Sequence, residues 1–225
     1  MALIQPTSTL SEIIAHEPSI IPVINRFGIF LGTGDSTIET ICADKKLDTE
    51  FFVMILNTLT NDVYFPEKHL RCIDPLVIVN YLRLTDCSYL KFQLPNIERH
   101  FASLLQHSGT ANNLKLMKTF FNEVKEDVKA FIDNDTNCWF SNIEKGTLDS
   151  EDCPAPDDGE AIEEKISDLR NMMIMHLQGD YDPNLCYAVI VAIIAFEKDF
   201  RQNNRIRNRI LLPLCRKSLN TEESM

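Results

Sequence analysis

The chain has 225 residues, of which 44% are hydrophobic and 24% are charged. These values are typical of a globular protein with one large or two small domains, and they exclude wholesale disorder and collagen-like repeats. The 33 acidic residues outnumber the 22 basic ones, for a net charge of −11. This charge disfavours non-specific binding of nucleic acid, because the phosphate backbone attracts a positive surface. The sequence also shows neither a membrane-spanning apolar run nor a secretory-signal pattern, so we expect no membrane partner.

Residues 1–65 have the pattern of a small helical domain. Pro18 interrupts the first helical segment, and Pro22 can open a second one that ends at Gly28. Asp48 precedes another helical run. Short helices joined at glycine and proline predict a module that is separate from the rest of the chain.

Residues 66–217 contain four long amphipathic segments, in which apolar residues recur at steps of three and four. Representative residues are Leu82 and Phe101 in the first segment, Phe121 and Val128 in the second, Ile166 and Met173 in the third, and Val189 and Phe200 in the fourth. Four such stripes predict an all-α fold with a four-helix bundle. We expect residues 218–225 to form a frayed tail.

Polar residues interrupt these stripes at Asp86, Asp135, Asn203 and Arg207. Burying polar groups without partners costs free energy, so such interruptions have a limited set of explanations. The helix ends could approach solvent, the four side chains could form a buried polar network, or they could hold a metal ion. In the network, Arg207 would pair with the two aspartates, because a buried guanidinium keeps its proton and needs acceptors.

The seven cysteines are scattered along the chain without a CxxC pair. They are Cys42, Cys72, Cys87, Cys138, Cys153, Cys186 and Cys215. This pattern does not indicate a zinc site, and it favours reduced thiols in a cytoplasmic protein.

Several segments resemble the repair-of-iron-centres family. The stretch STLSEIIAHEPSIIPVINRFGIFLGTGDSTIETICADKKLD is similar to the small helical domain that opens those proteins. The other similar segments, in the family's order, are YLRLTDCSYLKFQLPNIE, KEDVKAFIDNDTNCWF and FEKDFRQNNRIRNRILLP. In that family the small domain precedes a hemerythrin-like up-down four-helix bundle that holds two bridged irons. The resemblance implies the same organisation here, with the bundle over residues 66–217.

The same resemblance implies that the di-iron ligands are largely lost. Asp86 replaces a histidine of the first bundle helix, Phe131 and Asp135 replace a histidine and a glutamate of the second, and Asn203 and Arg207 replace the equivalent pair of the fourth. Phe131 has no ligating atom, and Arg207 would place a positive charge beside a cation. We therefore expect no metal, no cofactor and no catalytic residue, with these five positions as vestiges of the site.

These observations predict a non-enzymatic, metal-free hemerythrin-like protein with a regulatory or protein-interaction role, related to iron-sulfur repair and stress-response proteins. Two alternatives remain open: an iron-binding repair protein with rearranged ligands, and a transcriptional regulator or part of a signalling system. The second rests on the basic residues Arg201, Arg205, Arg207, Arg209, Arg216 and Lys217. We expect a protein partner, whereas DNA is disfavoured by the net charge; the sequence predicts neither the partner's identity nor the oligomeric state.

Overall fold

The computed structural model describes residues 3–64, 66, 73–109, 113–146 and 157–215. Over these residues the regular structure is helical, apart from an isolated β-bridge between Thr9 and Thr37. The predicted all-α fold class is therefore confirmed. The same ranges contain no helix that is both long enough and apolar enough to cross a membrane. Arg216, Lys217 and the predicted tail lie outside the described residues.

The helices are numbered in chain order. They are α1 (Leu10–His16), α2 (Ile21–Arg26), α3 (Ile38–Lys45), α4 (Thr49–Thr60), α5 (Pro75–Ser88), α6 (Leu94–Gln106), α7 (Leu114–Asn134), α8 (Phe140–Lys145), α9 (Glu160–His176) and α10 (Pro183–Ile206). A 3₁₀-helix covers Pro18–Ile20, and π-helical segments cover Tyr89–Gln93, Asp135–Trp139 and Arg207–Leu211.

The chain divides into two compact units. The first unit combines Met1–Tyr81 with Arg205–Met225, and the second unit is Leu82–Asn204. The division into domains at residues 65 and 217, made from the sequence, stays a prediction.

Local chemistry explains the short helices of the first unit. The hydroxyl of Thr37 accepts a hydrogen bond from the Thr40 amide at 3.3 Å, and the Asp48 carboxylate accepts one from the Phe51 amide at 2.9 Å. These bonds satisfy amides that lack a partner in the first turn of a helix. Gly28 follows α2 with a φ of +70°, a conformation that most residues avoid.

An aromatic cluster packs inside the first unit. The ring of Phe27 stacks on Tyr81 at a centroid distance of 5.5 Å and meets the edge of Phe52 at 5.0 Å. The Asn57 side chain holds the N-terminal segment, because it accepts from the Ile4 amide at 2.8 Å and donates to the Ile4 carbonyl at 3.0 Å. Aromatic packing and this reciprocal amide pair together fix the segments around α4.

The second unit is built on one apolar core. Its buried residues come from the π segment after α5, from α6, α7, α9 and α10, and they include Tyr89, Leu94, Phe101, Leu114, Phe121, Val128, Ile162, Leu169, Val189 and Phe200. Most of them belong to the stripes that the periodicity places on the inner helix faces. Burial of these stripes is the main favourable term in the folding of the unit.

Arg205 anchors the end of α4 within the first unit. Its guanidinium donates to the Tyr64 carbonyl at 3.1 Å and to the Thr58 carbonyl at 3.5 Å, and it lies 3.6 Å from Asp62. The Thr58 carbonyl belongs to the last turn of α4, where carbonyls lack helical partners and carry partial negative charge, so a guanidinium stabilises it.

We expect Arg205→Met to lower the free energy of unfolding by about 1–3 kcal/mol, because the carbonyls lose a charged donor while the apolar stem is retained. Urea unfolding followed by circular dichroism measures the change. Arg209→Met, at an exposed position four residues later, is the control and should have little effect. Equal losses in the two variants would contradict the anchoring role.

Candidate functional site

Four polar side chains form a hydrogen-bonded group in the second unit, which we call the Asn203 cluster: Tyr89, Gln93, Asp199 and Asn203. The side-chain amide of Asn203 donates to Tyr89 Oη at 3.0 Å and to Asp199 Oδ1 at 2.8 Å. Gln93 donates to Asp199 Oδ2 at 2.6 Å. Both carboxylate oxygens of Asp199 therefore accept from an amide, which offsets the cost of burying the charge.

Aromatic rings surround this cluster. The Tyr89 ring meets Phe196 edge-on at a centroid distance of 5.2 Å and lies 5.9 Å from Phe200. Phe131, one of the vestigial ligand positions, packs against Phe200 at 5.8 Å. Asp199 and Asn203 are buried beside these rings, and hydrogen bonds in such surroundings gain strength from the low local dielectric.

The five positions that the resemblance implies to be former metal ligands differ in their surroundings. Asp135, Asn203 and Arg207 are buried, with exposures of 2%, 4% and 2%, whereas Asp86 and Phe131 are half-buried. Asn203 belongs to the cluster above, and Arg207 donates to Asn208 Oδ1 at 3.0 Å. The network that the sequence predicts, with Arg207 paired to Asp86 and Asp135, stays a prediction.

Two π-helical segments begin at vestigial positions, one at Asp135 and one at Arg207. A third begins at Tyr89, three residues after Asp86. Single π-helical turns are rare and occur frequently at functional sites, where they redirect side chains. Helical periodicity alone did not reveal these segments, because it assumes one constant turn length.

The side chains at the vestigial positions do not fit a di-iron centre. Such a centre needs imidazole nitrogens and bridging carboxylates that converge from several helices. Phe131 offers no donor atom to a metal, and Asn203 carries an amide in place of an imidazole. Within the described ranges, no three His, Cys, Asp or Glu side chains come together as metal ligands would.

A second polar group joins α9 to α10 through Glu197. Both oxygens of its carboxylate accept from Nη1 of Arg170, at 2.6 and 2.7 Å, and one also accepts from Arg201 at 3.1 Å. The Glu197 side chain is only 4% exposed. Two guanidinium groups thus compensate one buried carboxylate, and removing either would leave that charge poorly satisfied.

Asn204 forms hydrogen bonds with residues at the start of α9. Its amide donates to the Asp158 carbonyl at 2.7 Å and to Glu163 Oε1 at 2.8 Å, and Arg201 lies 3.5 Å from the same carboxylate. Burial raises the pKa of Glu163, while the hydrogen bond from Asn204 and the charge of Arg201 act in the opposite direction. Because the folded pKa exceeds the unfolded value, ionised Glu163 costs stability above the folded pKa, and this cost disappears as the pH falls below the unfolded value.

The expectation of reduced cysteines is wrong for Cys138, which is disulfide-bonded. Disulfide formation depends on how closely two Cα atoms approach in the fold, and spacing along the sequence does not report that distance. Cys42, Cys87, Cys186 and Cys215 are free, and burial raises the pKa of Cys215 to about 11. Cys72 and Cys153 lie outside the described residues. The cytoplasmic location, which was inferred from reduced thiols, stays a prediction.

Sequence reasoning identified Asn203 but missed its partners. Tyr89, Gln93 and Asp199 were not singled out from the sequence. A signal was nevertheless present for Asp199, which lies four residues before Asn203 and therefore on the same face of α10. The hydrogen bond from Gln93 to Asp199 depends on the π segment that ends at Gln93. No pattern in the sequence predicts that segment.

We expect Gly159→Ala to destabilise the protein by more than the strain of its backbone alone. Gly159 has a φ of +76°, and a Cβ there would clash with the Asn204 side-chain nitrogen. Gly146→Ala is the matched control, since its φ is +68° and its Cβ would meet open space. The control should lose about 1–3 kcal/mol of unfolding free energy from strain, and Gly159→Ala should lose more.

A double-mutant cycle completes this test. Adding Asn204→Ala to Gly159→Ala removes the clash, so the two substitutions should be less destabilising together than the sum of their separate effects. Urea unfolding of the four proteins measures the coupling. Strict additivity would contradict the close contact.

We expect Asn203→Leu to lower the free energy of unfolding by about 2–3 kcal/mol, because the buried Asp199 carboxylate loses a donor. Chemical unfolding measures this loss. The same substitution at Asn122, which is exposed on α7, should change stability by less than about 0.5 kcal/mol. A similar small effect at both positions would show that the cluster contributes nothing to stability.

No protein-family model, curated protein or solved structure matches the chain. The resemblance to the repair-of-iron-centres family therefore depends on the segments quoted above and stays a prediction.

Proposed function

We propose that this chain is a non-catalytic hemerythrin-like protein, in which polar side chains take the place of a di-iron centre, and that it acts by binding another protein. The observation that carries the proposal is the Asn203 cluster. There the residue at a presumed ligand position forms hydrogen bonds with Asp199 and Tyr89. These hydrogen bonds hold the Asn203 side chain within the protein, at a position where the resemblance expects a histidine ligand.

The packing around Phe131 supports the same proposal. Its ring contacts Phe200 in the place where the resemblance expects an imidazole ligand. Helices α6, α7, α9 and α10 nevertheless share one apolar core. Retention of a helical core together with loss of ligands favours a scaffold over a metal-dependent catalyst. The up-down order of a hemerythrin bundle is part of this proposal.

The surface of α10 supports a role in protein contact. Tyr187, Val191 and Ile194 are exposed by 69%, 43% and 43%, and their spacing of four and three places them on one face. Apolar side chains that are grouped on a surface commonly mark interaction sites. A regulatory protein of the stress response, which the resemblance suggests, would use such a surface.

Binding to DNA is less well supported. Arg201 pairs with Glu197 and Glu163, and Arg205 binds backbone carbonyls. These guanidinium groups are engaged within the protein, and phosphate contacts would have to compete for them. The net charge of −11 adds a general repulsion.

Metal analysis tests the proposal. The full chain is purified from iron-supplemented cells, with a di-iron hemerythrin prepared in parallel as the positive control, and iron is counted by mass spectrometry. We expect well under one iron per chain. Two irons per chain, lost on Asn203→Leu, would overturn the proposal and favour the alternative of an iron-binding repair protein with rearranged ligands.

A further inference from the structure

The first half of α10 is apolar on every side. From Leu185 to Phe196 its sequence is LCYAVIVAIIAF, which contains no charged residue. One side of this stretch packs into the core of the second unit through Val189, Ile193 and Phe196. The opposite side lies on the surface and is apolar as well. A helix that is apolar all round is normally buried on all sides, so the exposed side of α10 indicates an interface.

The long helix α7 of the same unit shows the ordinary arrangement. It buries Phe121 and Val128, and it exposes Lys115, Glu123 and Lys129. Charged side chains of this kind keep the outer side of an amphipathic helix in water. The uncharged outer side of α10 is therefore a property of that helix and not of the unit as a whole.

Five residues make up this outer side, which we call the α10 face: Tyr187, Ala188, Val191, Ile194 and Ala195. Ala188 is half-buried and the other four are exposed. Their spacing of three and four places them on one side of the helix. Large and small side chains alternate around Val191, because Tyr187 and Ala195 lie four positions before and after it, and Ala188 and Ile194 lie three positions before and after it.

This order of sizes makes the α10 face complementary to itself. When two copies pack antiparallel about a two-fold axis beside Val191, each residue faces the one that lies equally far on the other side of Val191. Tyr187 then faces Ala195 of the other copy, and Ile194 faces Ala188. Each of these large side chains meets a small one, as close packing requires. A parallel pair would instead place tyrosine against tyrosine and isoleucine against isoleucine.

Charged residues of opposite sign flank the α10 face. Asp180 and Asp182 precede it, and Lys198 and Arg201 follow it. In the antiparallel arrangement Arg201 reaches the position between Asp180 and Asp182 of the other copy, so opposite charges approach at both ends. Arg201 also pairs inside its own unit, so this attraction adds orientation more than affinity. Parallel packing would bring like charges together.

We propose that a second copy of this chain covers the α10 face, so that the protein forms a two-fold symmetric dimer. The inference rests on the part of the proposed function that assigns protein contact to α10, and it identifies the partner. One helix face is smaller than the standard interface of about 1,600 Å². We therefore expect a dissociation constant of about 1–10 μM.

Sedimentation equilibrium of the full chain tests the proposal. The measured mass should rise from 25.8 kDa toward twice that value as the protein concentration increases from about 1 to 100 μM. A salt concentration of about 0.15 M screens the repulsion between two acidic chains. A chain that keeps the mass of one copy at about 100 μM would overturn the proposal.

A charge at the two-fold axis assigns the dimer to the α10 face. Val191→Glu places two like charges next to each other and should weaken the dimer by at least about 100-fold. Leu116→Glu is the matched control, because it adds the same charge at an exposed apolar position of α7 and should leave the dimer unchanged. Circular dichroism checks that both variants fold. Equal dimer affinities of the two variants would overturn the assignment.

A pair of substitutions tests the antiparallel arrangement and does not depend on Val191→Glu. Ala188→Lys and Ile194→Glu each bring a charge into the interface and should each weaken the dimer by about tenfold. Combined, the introduced lysine faces the introduced glutamate of the other copy, so the double variant should dimerise about tenfold more tightly than either single variant. Positions six apart on one helix do not face each other. Absence of this recovery would contradict the arrangement.

Iron content separates this inference from the proposed function. A metal-free monomer would overturn the dimer and leave the non-catalytic proposal in place. A dimer that carries two irons per chain and dissociates on Val191→Glu would support the α10 interface and overturn the non-catalytic proposal.

Discussion

Buried carboxylates on α10 must find donors inside the protein, and this requirement organises the polar interior of the second unit. Glu197 obtains its donors from Arg170 and Arg201, and Asp199 obtains them from Gln93 and Asn203. Hydrogen bonds to a charged group contribute about 1.5–3 kcal/mol each, and a missing one costs at least as much. Apolar packing alone tolerates sliding between helices, whereas these bonds form in only one arrangement of α10 against its neighbours.

Helix positions follow from the sequence because they depend on local chemistry. The apolar stripe of α7 predicts the buried face that contains Phe121 and Val128, and the helical run after Asp48 predicts α4. The partners in the polar cluster are non-local. Tyr89 and Asn203 are 114 positions apart, and periodicity assigns each to an inner face without pairing them.

The π segments explain a second limit of the sequence analysis. Reading a stripe assumes about 3.6 residues in every turn. A π turn holds more residues, so the phase of the helix changes where it occurs. Asp135 and Tyr89 each begin such a turn, and the direction of the side chains that follow cannot be extrapolated from the preceding stripe. Predictions of inward-facing residues are therefore safest in the uninterrupted parts of α7, α9 and α10.

A bound metal and a set of hydrogen bonds stabilise a buried polar centre in different ways. A structural metal adds binding energy to folding and makes stability depend on metal supply. An amide-carboxylate cluster such as that of Asn203 and Asp199 adds less energy, but it is present in every copy of the chain without a cofactor. Its value lies in specificity, since a shifted helix would leave Asp199 buried without its donors. A protein that acts through its surface needs a fixed arrangement of helices more than a reactive centre. On the function proposed above, the loss of ligand residues and the gain of the Asn203 cluster are two aspects of one change, from chemistry in the interior to recognition on the exterior.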